Sequence, residues 1–343
     1  MLAVRMYGVD DIRLENVETP HAGYGEIVIK IAAAAICGTD VRMITGGAKG
    51  IDAEHPKILG HEFAGTVFEI GDGVEGYQLG QRVAFAPNFG CGICNNCVKG
   101  NGHLCADYKA TGINIDGAFA EYCLIPEAAV RGGNICPIDD NISFEQAAIN
   151  EPLSCVYNGF EHADIHPGDV VLVVGAGPIG IMHCALALMA GAVVYLNDIS
   201  KDRLAEAKKL YPKLNLLYDV DDIMKVTGSA GADAIITACP VSSVQSKAIE
   251  LAAVGGRVIF FGGIAAKNEP VPINTNLIHY KQLIVSGTTR ASLYQYRRTL
   301  QFISSGVLDV NPLISNRLRL EDFSEGLDLA KRGIGLKNVI VME

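Results

Sequence analysis

The segment from Val170 to Leu196 constrains the fold most, because its 27 consecutive residues carry no charge. A run of that length could cross a lipid bilayer. Glycines and a proline, however, divide it into the strand-like VVLVV, the turn GAGPIG, an apolar helical stretch and the strand-like VVYL. Each piece is too short to span a membrane, and apolar strands of this kind are typical of a buried parallel sheet. The segment therefore predicts strand, turn, helix and strand inside a globular domain, and no membrane span.

The rest of the chain predicts an α/β protein of two domains. A length of 343 residues exceeds what one hydrophobic core usually supports. The first third consists of short β-branched runs separated by glycine-containing turns, which predicts a barrel-like β domain. Strands then alternate with helices, which predicts a doubly wound parallel sheet. We expect a first domain over residues 1–153, completed by 290–343, and a dinucleotide-binding domain over 154–289.

Charge and cysteine content restrict the partners and the compartment. The formal net charge of -10 argues against nucleic acid as a partner, because phosphate binding requires a basic surface. The N-terminus has early charges and no signal-peptide core, which favours the cytoplasm. In that reducing compartment, the ten cysteines are expected to be thiols or metal ligands.

The motif GAGPIG predicts a dinucleotide site, since it follows an apolar strand and opens a helix. In such a turn the first glycine permits the tight bend, the second admits the pyrophosphate, and the third lets helix and strand pack closely. The helix N-terminus then presents free N–H groups to the phosphates. The candidate cofactor-binding residues are Gly175, Gly177, Pro178, Ile179 and Gly180.

Two residues at and beyond the end of the next strand indicate which dinucleotide is bound. Asp198 is predicted to end this strand, 21 positions after Gly177, where a carboxylate would accept hydrogen bonds from the ribose hydroxyls. It would also repel a 2′-phosphate, so the sequence favours NAD over NADP. Arg203, five positions further on, is a candidate contact for the adenine or a solvated helix residue.

Four cysteines in GCGICNNCVKGNGHLC predict a structural metal site. Their C-x2-C-x2-C-x7-C spacing allows four thiolates to converge on one Zn²⁺ in a closed tetrahedral site. An iron–sulfur cluster is the alternative, but the shorter gap and the proline of that motif are absent. The four candidate ligands are Cys91, Cys94, Cys97 and Cys105.

A second group of metal-binding residue types is scattered along the chain. It comprises Cys37 in ICGTD, His61 and Glu62 in LGHEFAG, and Glu151 in NEPLS. Cysteine, histidine and carboxylate from distant segments are what an open, catalytic zinc site uses. Each residue also has a structural explanation: a small buried thiol, a surface charge, or an acid at a helix N-terminus.

Taken together, these motifs resemble the zinc-containing medium-chain dehydrogenases, in the same order and over essentially the whole chain. The resemblance implies a GroES-like β-barrel catalytic domain and a Rossmann NAD-binding domain. NEPLS and the closing GIGLKNVIV resemble the sorbitol (iditol 2-), or polyol, dehydrogenase branch. So does Arg290, which follows VSGTT at a substrate-contacting position of that branch.

The resemblance also implies roles for individual residues. Cys37 and His61 would bind a catalytic zinc, Glu62 would be the third ligand, and Glu151 would either bind the zinc or hold a water beside it. Thr39 would relay the substrate proton, and the four-cysteine loop would hold the structural zinc. A homotetramer or a homodimer is expected, with nucleotide-domain strands pairing across subunits.

One position departs from the family pattern. Many relatives have a histidine that passes the proton to solvent where this chain has Arg42. A guanidinium stays charged and carries protons poorly. Either the proton leaves by water and the cofactor ribose, or Arg42 contacts an anionic substrate group, such as the phosphate of a sugar alcohol.

The resulting prediction is NAD-dependent, reversible oxidation of a secondary alcohol of a polyol. The alternatives are oxidation of an amino alcohol such as L-threonine and a non-catalytic nucleotide-binding scaffold.

Overall fold

The computed structural model describes residues 1–264 and 270–342. The chain divides into two compact units. The first unit comprises Met1–Ser154 and Ala291–Glu343, and the second comprises Cys155–Arg290. The second unit is thus inserted into the sequence of the first.

The strands of the described chain are short, as the spacing of glycine-containing turns predicts. In chain order they are β1 (Leu2–Gly8), β2 (Asp11–Asn16), β3 (Ile27–Ala35), β4 (Lys57–Ile58), β5 (Glu62–Ile70), β6 (Arg82–Phe85), β7 (Asn88–Phe89), β8 (Lys109–Ala110), β9 (Tyr122–Ile125), β10 (Ile135–Pro137), β11 (Val170–Val174), β12 (Val193–Asn197), β13 (Asn215–Leu217), β14 (Ala232–Thr237), β15 (Ala252–Phe260), β16 (Ile284–Gly287), β17 (Ile314–Leu318) and β18 (Lys337–Val341).

The helices of the described chain are concentrated after residue 140. They are α1 (Gly38–Gly46), α2 (Asn95–Val98), α3 (Glu127–Arg131), α4 (Phe144–Ala148), α5 (Asn150–Ala163), α6 (Pro178–Met189), α7 (Lys201–Leu210), α8 (Asp222–Val226), α9 (Ser242–Leu251), α10 (Thr275–Tyr280), α11 (Leu293–Ser304) and α12 (Phe323–Arg332).

The first unit is built on a seven-stranded sheet in the order β10-β6-β5-β3-β18-β17, with β9 also pairing with β3. Strand β18 pairs with β3 in antiparallel fashion, so the last strand of the chain joins the same sheet as the first third. Its core packs large side chains from both parts, including the ring of Phe119 against that of Phe323 at 4.7 Å.

The second unit contains one six-stranded parallel sheet in the order β13-β12-β11-β14-β15-β16. This is the strand order of a dinucleotide-binding sheet, in which the order reverses next to the first strand. Leu172, Ile235 and Val258, from the three central strands, are fully buried, which explains the uncharged runs in the sequence. The predicted α/β fold class is confirmed.

None of the helices within residues 1–264 and 270–342 combines the length and the apolarity required to cross a membrane.

Candidate active site and metal centres

Cys37 lies at the N-terminus of α1, directly after β3. Its backbone is extended, and its N–H donates to the Asp40 Oδ2 at 2.9 Å, so the first turn of the helix closes on itself. Asp40 is completely buried. The turn therefore fixes the Cys37 thiol at the end of a central strand of the first unit.

His61 and Glu62 lie at the start of β5, which pairs with β3. Gly60, which precedes them, has a φ of +96°, and a Cβ there would lie 3.0 Å from the ring of Phe119. A side chain at position 60 would therefore be strained, which accounts for the glycine in LGHEFAG. The ligand atoms of Cys37, His61 and Glu62 lie within 4.8 Å of one another.

The polar atoms of this group fit a bound cation. The Asp40 Oδ1, the His61 Nδ1 and the Glu62 Oε1 are all buried, and none of them has a hydrogen bond of normal geometry within the described part of the chain. Burial lowers the pKa of His61, but the negative charges of Asp40 and Cys37 offset this and hold that pKa well above its usual range. The pocket is thus electronegative and would attract a proton or a metal ion.

Asp40 also orients the imidazole. Its Oδ1 lies 3.5 Å from the His61 Nδ1, which leaves the Nε2 as the nitrogen available to a metal. A carboxylate behind a ligating histidine is the usual way in which proteins fix the tautomer and the ring orientation. Sequence reasoning had treated Asp40 only as part of the ICGTD motif.

Lys337 is a second residue of the site that sequence reasoning missed. It opens β18, it is only 3% exposed, and its ammonium donates to the Glu62 Oε2 and, at 3.1 Å, to the carbonyl of Ile36. Charged residues are almost never fully buried unless they are paired. The one available signal was a lysine next to the apolar NVIV, but nothing in the sequence connects it to a glutamate 275 positions away.

Thr39 and Arg42 contact each other on the exposed side of α1. The Arg42 Nη2 donates to the Thr39 Oγ1 at 2.9 Å. A hydroxyl has two lone pairs and one proton. Thr39 therefore retains one lone pair and its proton for a substrate or a solvent molecule.

The structure does not place Glu151 in this group. Glu151 is a buried residue of the first turn of α5, and it is not among the donors whose ligand atoms lie within 4.8 Å of one another. Arg290 belongs to the second unit, where its backbone has a φ of +57° and its carbonyl accepts a hydrogen bond from the Asn158 Nδ2 at 2.9 Å. Their roles at a zinc and at a substrate stay predictions.

The four cysteines of the loop converge as their spacing predicts. The sulfur–sulfur distances are 4.0 Å for Cys91–Cys97, 3.5 Å for Cys94–Cys97 and 3.7 Å for Cys94–Cys105. Four thiolates at about 2.3 Å from one zinc would be about 3.8 Å apart at the corners of a tetrahedron. Backbone N–H groups of the loop lower the pKa of Cys91 to about 7, which favours the thiolate that a metal requires. All four residues are free cysteines.

The glycine turn in the second unit has the form that a dinucleotide requires. Gly175 has a φ of +113°, and a Cβ at Gly180 would lie 1.8 Å from the carbonyl oxygen of Gly175. At Gly177, by contrast, a Cβ would meet no atom within 4 Å. Gly177 precedes Pro178, the first residue of α6, so this open space lies at the N-terminus of a 12-residue helix. A pyrophosphate would fit there.

Asp198 is fixed close to this turn. Strand β12 ends one residue earlier than expected, at Asn197, and Asp198 follows it. Its Oδ2 accepts from the N–H of Ala176 at 2.7 Å, and its Oδ1 accepts from the N–H of Ser200 at 2.8 Å. Each oxygen retains a lone pair for a ribose hydroxyl. The side chain of Arg203, on α7, is exposed.

A cavity of 250 Å³ lies between α9 and the sheet face of β11 and β14. It reaches Val174 and Asn197 at the carboxyl ends of β11 and β12, where open α/β sheets bind ligands. Its walls are mostly apolar, and Lys247, which pairs with Asp221 at 2.7 Å, is one of its polar residues. The other residues that line it include Val174, Asn197, Val220, Ser243 and Val244. Such a slot suits a flat base.

Two family models match this chain. The model described as an alcohol dehydrogenase GroES-like domain matches residues 23–132, and the one described as a zinc-binding dehydrogenase matches residues 178–305. These ranges include the Cys37 group, the cysteine loop, the second half of GAGPIG and Asp198.

Individual proteins are similar over nearly the full length. An L-threonine 3-dehydrogenase of Mesorhizobium japonicum is 35% identical, with 96% of this chain and 95% of that protein covered. A sorbitol dehydrogenase of Bombyx mori is 31% identical, with 98% and 97% covered. The crystal structure of a putative zinc-binding dehydrogenase from Sinorhizobium meliloti 1021, bound to NADP, is similar with a TM-score of 0.90 at 29% identity, covering 99% and 98%.

Proposed function

As a member of the zinc-containing medium-chain alcohol dehydrogenase family, this chain is an oxidoreductase, and we propose that it oxidises a secondary alcohol of a polar substrate with NAD. The observation that carries the proposal is the convergence of Cys37, His61 and Glu62 within 4.8 Å. Buried oxygen and nitrogen atoms of this group have no hydrogen bond of normal geometry to any residue that the structure describes. A purely structural cluster would have satisfied these atoms internally.

Each residue of the first unit has a defined task in this proposal. Cys37, the Nε2 of His61 and Glu62 would hold the catalytic zinc, and Asp40 keeps the imidazole in the required tautomer. When bound, the zinc supplies Lewis-acid polarisation of the substrate hydroxyl, and the nicotinamide accepts the hydride. Thr39 accepts the substrate proton on its free lone pair and passes its own proton to a solvent molecule. Arg42 holds the Thr39 oxygen but cannot itself take the proton. Glu151 stays a proposed ligand in exchange with Glu62.

The second unit would bind the dinucleotide. We propose that the pyrophosphate lies over Gly177 and the N-terminus of α6, with Pro178 and Ile179 in the turn, and that Asp198 binds the ribose. Ile199, which follows Asp198, is a fully exposed apolar residue, as expected of a residue that a ligand covers. A carboxylate at position 198 favours NAD, because it would repel the 2′-phosphate of NADP.

The first candidate substrate is a sugar alcohol, whose neighbouring hydroxyls can bind a metal together. The similarity to a sorbitol dehydrogenase supports it. L-threonine is the second candidate, supported by the several relatives named L-threonine 3-dehydrogenase. The exposed charge of Arg42 suits either a sugar phosphate or the carboxylate of threonine.

A substrate panel tests the proposal. The zinc-replete protein is assayed with sorbitol, xylitol, their phosphates and L-threonine, each with NAD and with NADP. We expect at least one substrate to reach a kcat/KM above about 10⁴ M⁻¹s⁻¹ with NAD. Oxidation of L-threonine alone would exclude the polyol. If the protein contains zinc and binds NAD but oxidises none of these alcohols, the result would favour the alternative of a non-catalytic nucleotide-binding scaffold.

Arg42→Met separates charged from neutral substrates. If Arg42 binds the anionic group, kcat/KM falls at least about tenfold more for a phosphorylated or carboxylated substrate than for a neutral polyol. Arg319→Met, at an exposed arginine elsewhere in the first unit, is the control. Equal losses for charged and neutral substrates would remove Arg42 from substrate recognition.

We also propose a homo-oligomer, a dimer or a tetramer, in the cytoplasm. Strand β16 is an outer strand of the parallel sheet, and Val254, Tyr280 and Ile284 near this edge are exposed apolar residues. Exposed edge strands with apolar side chains invite pairing with another chain. The ten free cysteines suit a reducing compartment. Light scattering of Ile284→Lys against the unchanged protein tests the interface; equal masses would contradict it.

A further inference from the structure

The buried ammonium of Lys337 connects two parts of the proposed zinc site. It donates to the Glu62 Oε2 and to the carbonyl of Ile36, the residue before Cys37. Lys337 itself comes from β18, which pairs with β3 next to that point. One cation thus contacts both chain segments that carry the proposed zinc ligands.

The two oxygens of Glu62 are in different situations. The Oε2 forms the ion pair with Lys337, whereas the buried Oε1 has no hydrogen bond of normal geometry among residues 1–264 and 270–342. An ionised carboxylate can accept on both oxygens and can bind a metal through one or both of them. The Oε2 shares its charge with an ammonium, whereas both lone pairs of the Oε1 are open within the described chain, so the Oε1 is the better ligand for a metal.

We infer that Lys337 is a positioning residue that presents Glu62 to the zinc through the Oε1 and weakens the bond between Glu62 and zinc by sharing its charge. The inference rests on the proposed catalytic zinc site and goes beyond it, because it assigns a role to a residue outside the ligand set. A weak third ligand could leave the metal when a substrate arrives, while Cys37 and His61 retain it.

The charges of the pocket support this role. The Cys37 thiolate, Asp40 and Glu62 would contribute three negative charges, and a divalent zinc together with Lys337 would contribute three positive charges. Like charges a few ångströms apart repel strongly in a buried site. Lys337 therefore keeps the affinity for zinc below the value that the same ligands would reach alone.

The test is the zinc affinity of four variants: Lys337→Met, Lys337→Gln, Glu62→Gln and the double variant Lys337→Met with Glu62→Gln. Lys337→Gln removes the charge but retains a donor for the Glu62 Oε2, so it avoids an unpaired buried carboxylate. Lys331→Met, at a partly exposed lysine on α12 that pairs with Asp10 at 3.0 Å, is the matched control. Affinity is measured by competition with a coloured chelator, and zinc in the four-cysteine loop is the internal reference.

We expect Lys337→Met and Lys337→Gln to bind the catalytic zinc at least about tenfold more tightly, because a repelling charge has been removed. The affinity of the loop zinc stays unchanged. In the Glu62→Gln background the effect of Lys337→Met on the zinc affinity should be clearly smaller, since only the direct repulsion between the ammonium and the zinc remains. In the Co²⁺-substituted protein, the same Lys337 variants shift the visible absorption bands, which report the ligands of the metal.

Unchanged affinity and unchanged Co²⁺ bands in Lys337→Gln would overturn the inference, and so would an equal effect with and without Glu62. If Lys337→Met does not fold, Lys337→Gln and its combination with Glu62→Gln decide the question in the same way. A protein that binds no zinc beyond the loop ion would instead contradict the proposed function. The two failures are therefore distinguishable by the zinc content of the unchanged protein.

Discussion

Asp40 lies directly behind His61, with 3.5 Å between the Oδ1 and the Nδ1, and it also caps the helix that begins beside Cys37. One buried carboxylate thus supports two of the proposed zinc ligands. We predict that Asp40→Asn lowers the affinity for the catalytic zinc about 10- to 100-fold, because an amide no longer fixes the imidazole tautomer.

Asp52→Asn is the control for this substitution. Asp52 forms a similar pair with His55 at 3.1 Å, but at the surface. Zinc content after dialysis against a chelator is the measurement. Equal retention of zinc by the two variants would contradict a supporting role for Asp40.

The glycine turn allows a paired test of fold and function. Gly180→Ala should destabilise the second unit by at least about 3 kcal/mol, because its Cβ would lie 1.8 Å from a carbonyl oxygen. Gly177→Ala should unfold at nearly the same urea concentration as the unchanged protein, since the Cβ has open space, but should bind NAD at least about tenfold more weakly. Urea unfolding and calorimetric titration with NAD measure the two effects. Normal NAD binding by Gly177→Ala would place the pyrophosphate elsewhere.

Asp198 should determine the choice of dinucleotide. Asp198→Ala removes a charge that would repel a 2′-phosphate, so the ratio of kcat/KM for NAD to that for NADP should fall at least about 100-fold. Asp202→Ala, an exposed acid four residues further on, should leave the ratio unchanged. A strong preference for NADP in the unchanged protein would show that Asp198 does not exclude the phosphate.

The cysteine loop should be held by its own zinc. Cys94→Ser is predicted to lower the zinc content from about two ions per chain to about one, and to expose the loop to trypsin at Lys99, because a closed tetrahedral site needs all four thiolates. Cys136→Ser, at a buried cysteine outside both groups, should retain both ions. A loop that resists trypsin equally in the two variants would contradict this role.

His183 should make the stability of the second unit depend on pH. Both ring nitrogens are buried without a hydrogen-bond partner among the described residues, and burial lowers the pKa of His183 to about 3. As the pH falls below about 6.5, the unfolded chain binds a proton first, so stability is lost from that pH down to the folded pKa. The slope approaches about 1.4 kcal/mol per pH unit.

His183→Leu should remove this part of the slope between pH 6 and pH 4.5, whereas His21→Leu, at an exposed histidine, should not. Urea unfolding at several pH values measures the free energy of unfolding of both variants. Zinc loss in acid affects both variants alike, so its effect cancels when their slopes are compared. Identical slopes for the unchanged protein and His183→Leu would show that His183 binds a proton in the folded protein over the same pH range as in the unfolded chain.

Local sequence patterns were sufficient to predict much of the fold and of the candidate site. The alternation of strands and helices, the turn at Gly175–Gly180 and the spacing of the cysteines each depend on neighbours along the chain. Because Asp198 follows the next strand of the same unit, its approach to the N–H of Ala176 could be anticipated. His183 lies in the apolar helical stretch that the sequence predicts, but its buried ring forms no hydrogen bond within the described chain.

The contacts that the sequence did not indicate join distant segments. Lys337 reads as a surface lysine before a strand, and only the pairing of β18 with β3 brings it to Glu62. Asp40 has the spacing of a helix-capping acid, and its second contact, to His61, depends on the pairing of β3 with β5. In both cases the tertiary arrangement, not the local pattern, creates the interaction.

Anomalous diffraction at the zinc absorption edge, from crystals of the zinc-replete protein, tests the central claim most directly. We predict two peaks per chain: one among the four loop cysteines, and one about 2.3 Å from the Cys37 Sγ and about 2.0 Å from the His61 Nε2. A single peak in the cysteine loop, with no density between Cys37 and His61, would contradict the proposed catalytic zinc site.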